Sequence, residues 1–258
     1  MRINNNLMAM NTHRQLGVNT LQASKSMEKL SSGFRINRAA DDAAGLSISE
    51  KMRSQIRGLN QAIRNAQDGI SLIQTAEGAM DEVSNMLVRF KELAVQKATG
   101  TYSATDTGNM DAEMTALKAE ITNIRNTTKF NGTDVLNGGT RNIAISHDGG
   151  VTLAIADGNI SAAVTLTTAS NGAAVDGAID AVDTSRSNLG ALQNRLESTI
   201  KNLSATQENL QAAESRIRDV DMAKEMMAFT KNNILTQAAT AMLAQANQAP
   251  QGVLQLLR

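Results

Sequence analysis

Residues 59–94 read LNQAIRNAQDGISLIQTAEGAMDEVSNMLVRFKELA. Their apolar positions are Leu59, Ile63, Ala66, Ile70, Ile73, Ala76, Met80, Val83, Leu87, Phe90 and Ala94. Nearly every step is three or four residues, the spacing that puts side chains on one face of an α-helix. Asp41 and Asp42 offer an N-cap upstream, and Gly100 closes the run downstream. The spacing predicts a helix over about 43–98, roughly 80 Å long at 1.5 Å per residue. A single globular domain seldom accommodates such an element, whereas a rod does.

The same period extends outward in both directions. Residues 1–32 read as a helix: Ile3, Leu7 and Met10 step by four and three, Leu16, Ala23 and Leu30 follow at sevens, and Gly33 stands at the C-cap. Residues 34–46 are a break. Asp106, Thr107 and Asn109 are cap candidates for a third helix, whose stripe is Met110, Met114, Leu117, Ile121 and Ile124. Between about 129 and 170 the period falls to two. Ile143 and Ile145, then Val151, Leu153 and Ile155, flank HDGG at 147–150, a β-hairpin signal. Residues 161–170, rich in Thr, Ala and Ser, are expected to be exposed. Helical period returns at about 173 with Val175, Ile179, Val182, Leu189, Leu192, Leu196, Leu203, Leu210, Ala213, Ile217 and Val220, and continues through Met226, Phe229, Ile234, Ala238 and Met242. Pro250 and Gly252 are expected to interrupt only the final turn.

The expected fold is mainly α: a long antiparallel helical bundle or coiled-coil rod with a small β-hairpin region, polymerising into a helical filament. Two domains are expected. Residues 1–43 plus 215–258 form an inner terminal coiled coil, and 44–214 form a rod domain with its hairpin region at about 129–170. Paired together, the two ends make a hairpin too thin to bury both stripes, marginal alone and ordered by stacking on copies of itself. Heterologous contacts that do not close into a ring build open helical polymers.

Composition narrows the function. One Pro in 258 residues permits long helices, and thirteen Met with 2% aromatics suit seams rather than a thick core. Lys and Arg number 25, as do Asp and Glu, so wholesale nucleic-acid binding is not expected. The first 60 residues lean basic, which reads as a solvated helix face. The absence of Cys excludes disulfides, thiol catalysis and Cys-based metal sites. No apolar run of about 18 residues exists to insert in a membrane, and MRINNNLMAMNTHRQ lacks a signal peptide's apolar core, so any export follows another route. His13 and His147 have no His or Cys at ligand spacing, and Asp41–Asp42 reads as capping. No nucleotide-binding or nucleophile-elbow motif occurs. No catalytic residue, metal or cofactor is expected, and the chain is not expected to be an enzyme.

EKLSSGFRINRAADDAAGLSISEKMRSQIR at 28–57, DGISLIQTAEGAM at 68–80 and FNGTDVL at 130–136 resemble bacterial flagellin. So do LGALQNRLESTIKNL at 189–203, ESRIRDVDMAKEM at 214–226 and QANQAPQGVLQLL at 245–257. The resemblance covers about the first 140 and last 75 residues, and implies a short flagellin without large outer domains. It implies a structural subunit of the extracellular flagellar filament, serving motility, secreted through a dedicated channel. Its terminal helices would pack in the filament core through Ile3, Leu7, Met10, Leu30, Met226, Phe229, Ile234, Met242, Leu254 and Leu257. Implied partners are copies of itself, flagellar cap and hook-junction proteins, an export chaperone at the C-terminal helix, and the hosts' flagellin-sensing Toll-like receptor. By motif, the receptor contacts are Arg89, Leu93 and Glu120, with Val88 and Phe90 departing from the family's usual residues; 28–49 resembles the segment sensed by plants. Two alternatives are a flagellin-like hook–filament junction protein and a hydrolase using His147, Asp148 and Asp157 of the insertion.

Overall fold

The computed structural model describes residues 6–256, with side chains through residue 248. Six helices and four short strands follow in order: α1 Leu7–Ser32, α2 Ala43–Ala98, α3 Ala104–Thr127, β1 Lys129–Phe130, β2 Thr133–Asp134, β3 Thr140–Ala144, β4 Thr152–Ala156, α4 Ser161–Val164, α5 Gly172–Arg218 and α6 Met222–Leu256.

Local chemistry sets the boundaries. Asn6 caps α1, and Gly33 ends it in the left-handed conformation at φ 75°, its N–H donating to the Lys29 carbonyl. The two adjacent aspartates divide the next task. Asp42 Oδ1 accepts from Gly45 N at 2.9 Å and caps α2. Asp41 Oδ2 accepts from the N–H groups of Asn37 and Arg38 at 3.2 and 3.0 Å, which tightens the preceding turn and holds its carboxyl below the usual range. α3 begins earlier than its expected caps, because Ser103 and Asp106 form a reciprocal capping box. α6 runs through Pro250 and Gly252 to Leu256, so neither ends the helix as the spacing predicts.

The chain divides into two compact units: Met1–Arg53 with Leu210–Arg258, and Ser54–Asn209. Both boundaries fall inside long helices, α2 and α5.

The second unit holds the hydrophobic core. α2 supplies Ile73, Ala76, Met80, Val83, Leu87 and Phe90, α3 supplies Met110, Met114 and Ile121, and α5 supplies Val175, Val182, Leu189 and Leu196. These are the predicted stripes. Ion pairs Lys91–Asp176 (2.6 Å) and Arg186–Asp81 (2.9 Å) fix α2 antiparallel to α5. Arg89–Glu113 (2.9 Å) and Lys97–Asp111 (2.5 Å) do the same for α2 and α3. β1 and β2 pair around Asn131–Gly132, both at positive φ as a tight hairpin turn requires. β3 and β4 form the predicted hairpin, Ile143 opposite Leu153, and bury Leu153 and Ile155 on the core. Residues 161–170 correct the expectation of exposure: Ala163 and Leu166 are buried in that core, and four of the residues form α4.

Gly58 is where α2 meets the hairpin tip. A Cβ there would strike the backbone carbonyl of His147 and lie 2.9 Å from its Cα. Helix propensity alone makes Gly58→Ala stabilising by about 1 kcal/mol. The collision reverses the sign, and we expect urea titration to show a net loss of about 1–3 kcal/mol. A stabilised variant would show that the tip yields freely.

Candidate assembly surface

In the first unit α1 lies antiparallel to α6. Asn6 Nδ2 donates to the Ala246 carbonyl at 2.6 Å near one end, and Phe34 bridges Asp219 at the other. The less exposed positions of α1 include Ala9, Thr12, Leu16, Asn19, Ala23, Ser26 and Leu30; those of α6 include Phe229, Asn232, Thr236, Ala239, Leu243 and Ala246. Each set alternates steps of three and four, the spacing of a coiled-coil seam. The content is unusual for a seam. Its fully buried members are Asn19, Ser26, Asn232 and Ala246, small or polar side chains.

Leu16, Leu30, Phe229 and Leu243 lie half-buried on that seam, but most of the large apolar side chains point away from it. Leu7 is 63% exposed, Met10 65%, Ile234 60% and Met242 57%, with Met8, Leu21, Met27, Met226, Met227 and Leu235 also exposed. Charge is nearly absent from this stretch. Residues 7–24 contain Arg14 alone among Lys, Arg, Asp and Glu, and residues 232–248 contain none. Two helices whose outer flanks are apolar and uncharged present an interaction surface.

Of the predicted assembly residues, Leu30 and Phe229 lie half-buried on the seam. Leu7, Met10, Met226, Ile234 and Met242 lie on the exposed flanks. Ile3 and Leu257 fall outside the described residues, as does the side chain of Leu254.

A clasp closes one end of the pair. Arg35 N donates to the Arg218 carbonyl (2.7 Å) and Val220 N to the Gly33 carbonyl (3.1 Å). The Arg35 guanidinium donates to the Ile217 carbonyl at 2.6 and 3.2 Å. Arg218 stacks 4.8 Å over the Phe34 ring and pairs with Glu50 at 2.7 Å. Sequence reasoning missed this cluster: its partners, such as Gly33 and Val220 or Phe34 and Arg218, lie at opposite ends of the chain, and a single sequence carries no pairing signal between them.

The residues singled out for receptor contact lie in the second unit and are only partly gathered. Arg89 pairs with Glu92 and Glu113, each at 2.9 Å, and Glu113 chiefly raises its pKa. Glu120 is exposed, with Asn123 at 3.4 Å, and makes no hydrogen bond to Arg89. Leu93 is 2% exposed and belongs to the core, so the outward face here presents Arg89, Glu92, Glu113 and Val88. Glu113 was legible in principle, as the residue preceding Met114 on the α3 stripe. Of the insertion's alternative candidates, Asp157 is buried and paired with Arg141 at 2.9 Å, and Asp148 accepts from Gly150 N at 3.0 Å.

Two family models match the chain: the bacterial flagellin N-terminal helical region over residues 3–140 and the C-terminal helical region over 173–257. A flagellin of Halalkalibacterium halodurans is 56% identical over 272 residues, and one of Bacillus subtilis 52% over 304, each covering 100% of both chains. Among solved structures, one described as a flagellar hook-associated protein of Vibrio parahaemolyticus superimposes with a TM-score of 0.54 at 15% identity, covering 69% of this chain and 100% of that one, a likeness of fold alone.

The clasp sets a pH dependence. The Arg218 hydrogen bond, first among the causes, holds Glu50 below the usual glutamate range. A depressed carboxyl pKa contributes stability above the unfolded value, about 4.3, that is lost as pH falls through the folded value. Amide exchange at Arg35 and Val220 should therefore accelerate selectively below about pH 4.3, and Glu50→Gln should abolish that pH step. An unchanged step in the variant would assign it to another group.

Proposed function

The chain belongs to the bacterial flagellin family and is a structural subunit of the extracellular flagellar filament, and on that premise we propose that its subunits join through the outer flanks of the α1–α6 pair. The observation that carries this reading is the combination of a seam whose buried positions are small or polar with apolar, charge-poor flanks. Such flanks gain free energy only when something covers them. Copies of the same pair supply the matching chemistry, since α1 offers exposed Leu and Met and α6 exposed Met, Leu and Ile along stretches nearly free of charge. In this role Leu7, Met10, Met226, Ile234 and Met242 contact neighbours, whereas Leu30 and Phe229 hold the pair together. Torque then passes along a polymer whose subunits need no catalytic centre.

Further partners fit the same surfaces. An export chaperone covering α6 would shield exposed Met and Ile before assembly, and cap and hook-junction proteins would meet the same flanks at the filament's ends. On the second unit, exposed Arg89 and Glu120 are candidate contacts for the flagellin-sensing receptor, with buried Leu93 supporting the helix beneath.

Deleting residues 1–30 or 225–258 should leave the second unit folded, by circular dichroism and thermal melting, but unable to polymerise. Ile234→Lys should raise the critical concentration for polymerisation at least about tenfold, because an unpaired charge would be buried between subunits. Normal filaments from either truncation would exclude the flanks as the joining surface. For the receptor, Arg89→Asp should weaken binding to the receptor ectodomain about tenfold, as loss of an interface Arg does. Unchanged affinity by surface plasmon resonance would remove Arg89 from the contact.

A further inference from the structure

Helix α6 continues through Pro250 to Leu256. A proline nitrogen carries no hydrogen, so the carbonyl four residues earlier, that of Ala246, loses the helical bond it would otherwise accept. Ala246 is buried on the seam, where an unmet carbonyl is costly. Its carbonyl accepts instead from Asn6 Nδ2 at 2.6 Å. The same side chain's Oδ1 accepts from Ala9 N at 3.1 Å. One amide therefore caps α1 and replaces the missing donor of α6.

We propose that Asn6 and Pro250 form a register latch: the proline frees one acceptor on α6, and Asn6 is the positioning residue that reads it. A seam that intersperses Ala9, Thr12, Ala23, Ser26, Ala239 and Ala246 with half-buried Leu16, Leu30, Phe229 and Leu243 discriminates weakly between registers, because its small side chains fit one another after a slip and its large ones are not sealed. Specific polar contacts must then choose. The latch does so at one end and the Phe34–Asp219 bridge at the other. Register fixes which side chains of α1 and α6 adjoin on the outer flanks. The latch thus rests on the reading that those flanks join subunits, and adds how they are kept in line.

The test is a double-mutant cycle in the full chain, read as the critical concentration for polymerisation. Asn6→Ser keeps an oxygen to cap α1 and removes the Nδ2 donor. Pro250→Ala restores an N–H to the Ala246 carbonyl. In the wild-type background Asn6→Ser should raise the critical concentration about tenfold, the effect of leaving a buried carbonyl unmet. In the Pro250→Ala background the same change should cost about twofold or less, because the carbonyl has its own helical partner. Equal effects in both backgrounds, including complete loss in both, would overturn the latch, as would no effect in either. Those results would leave the flank reading intact, since that reading fails only if chains lacking a terminal helix still polymerise.

Discussion

Two helices packed together have no third layer. Each can bury one narrow stripe against the other, and everything beyond that stripe faces outward. In the α1–α6 pair the buried positions of the stripe are Asn19, Ser26, Asn232 and Ala246, its Leu16, Leu30, Phe229 and Leu243 are only half-buried, and most of the other large apolar residues lie outside it. The arrangement inverts the usual priority of a soluble helix pair, which seals its Leu and Met inside. A charge-free outer face over residues 232–248 removes the remaining means of keeping such a surface in water. The pair therefore depends on further copies for the burial that its own partner helix does not supply.

The second unit solves the same problem within one chain. Three helices and a hairpin leave few large apolar side chains uncovered, and the side chains of Met80, Val83, Leu87 and Phe90 are fully enclosed. Where backbone must approach backbone, a glycine makes room, as Gly58 does beneath His147. Buried Asp157 is paired: Arg141 reaches it at 2.9 Å and also donates to the Asp134 carbonyl at 2.5 Å. One unit is stable by its own core, and the other holds the surfaces that need company.

The parts of this organisation that were legible in the sequence are the periodic ones. The stripes of α2, α3 and α5 alternate apolar and polar residues cleanly, so helix positions and core membership follow from spacing. The terminal seam was legible only in part: a reading by hydrophobicity finds Leu16, Ala23, Leu30 and Phe229, which lie on it, but also selects Leu7, Met10 and Ile234, which lie outside it, and passes over Asn19, Ser26 and Asn232, which lie inside. Burial of Ala163 and Leu166 was hidden by a Thr- and Ser-rich setting. The helix through Pro250 was hidden because its compensation comes from Asn6, at the far end of the chain. Likewise the pairing of Arg89 with Glu113 depends on the register between two helices, which motif matching does not encode.

The polar seam also bears on when the ends become ordered. Fixing a helical residue costs conformational entropy of about 1–2 kcal/mol, and a seam that buries only Ala, Ser and Asn and leaves Leu16, Leu30, Phe229 and Leu243 half-exposed returns little of it through burial. A Leu-lined seam would have ordered the pair in the isolated subunit and left its apolar flanks exposed to indiscriminate contacts. With a weak seam, the free energy that orders α1 and α6 comes chiefly from covering the flanks, so ordering and joining are thermodynamically linked. Specificity then cannot reside in the strength of the seam. It resides in directional contacts such as the Asn6 amide on the Ala246 carbonyl and the Arg218–Phe34–Glu50 clasp, which add little stability in the free subunit and select the one alignment in which neighbouring flanks fit.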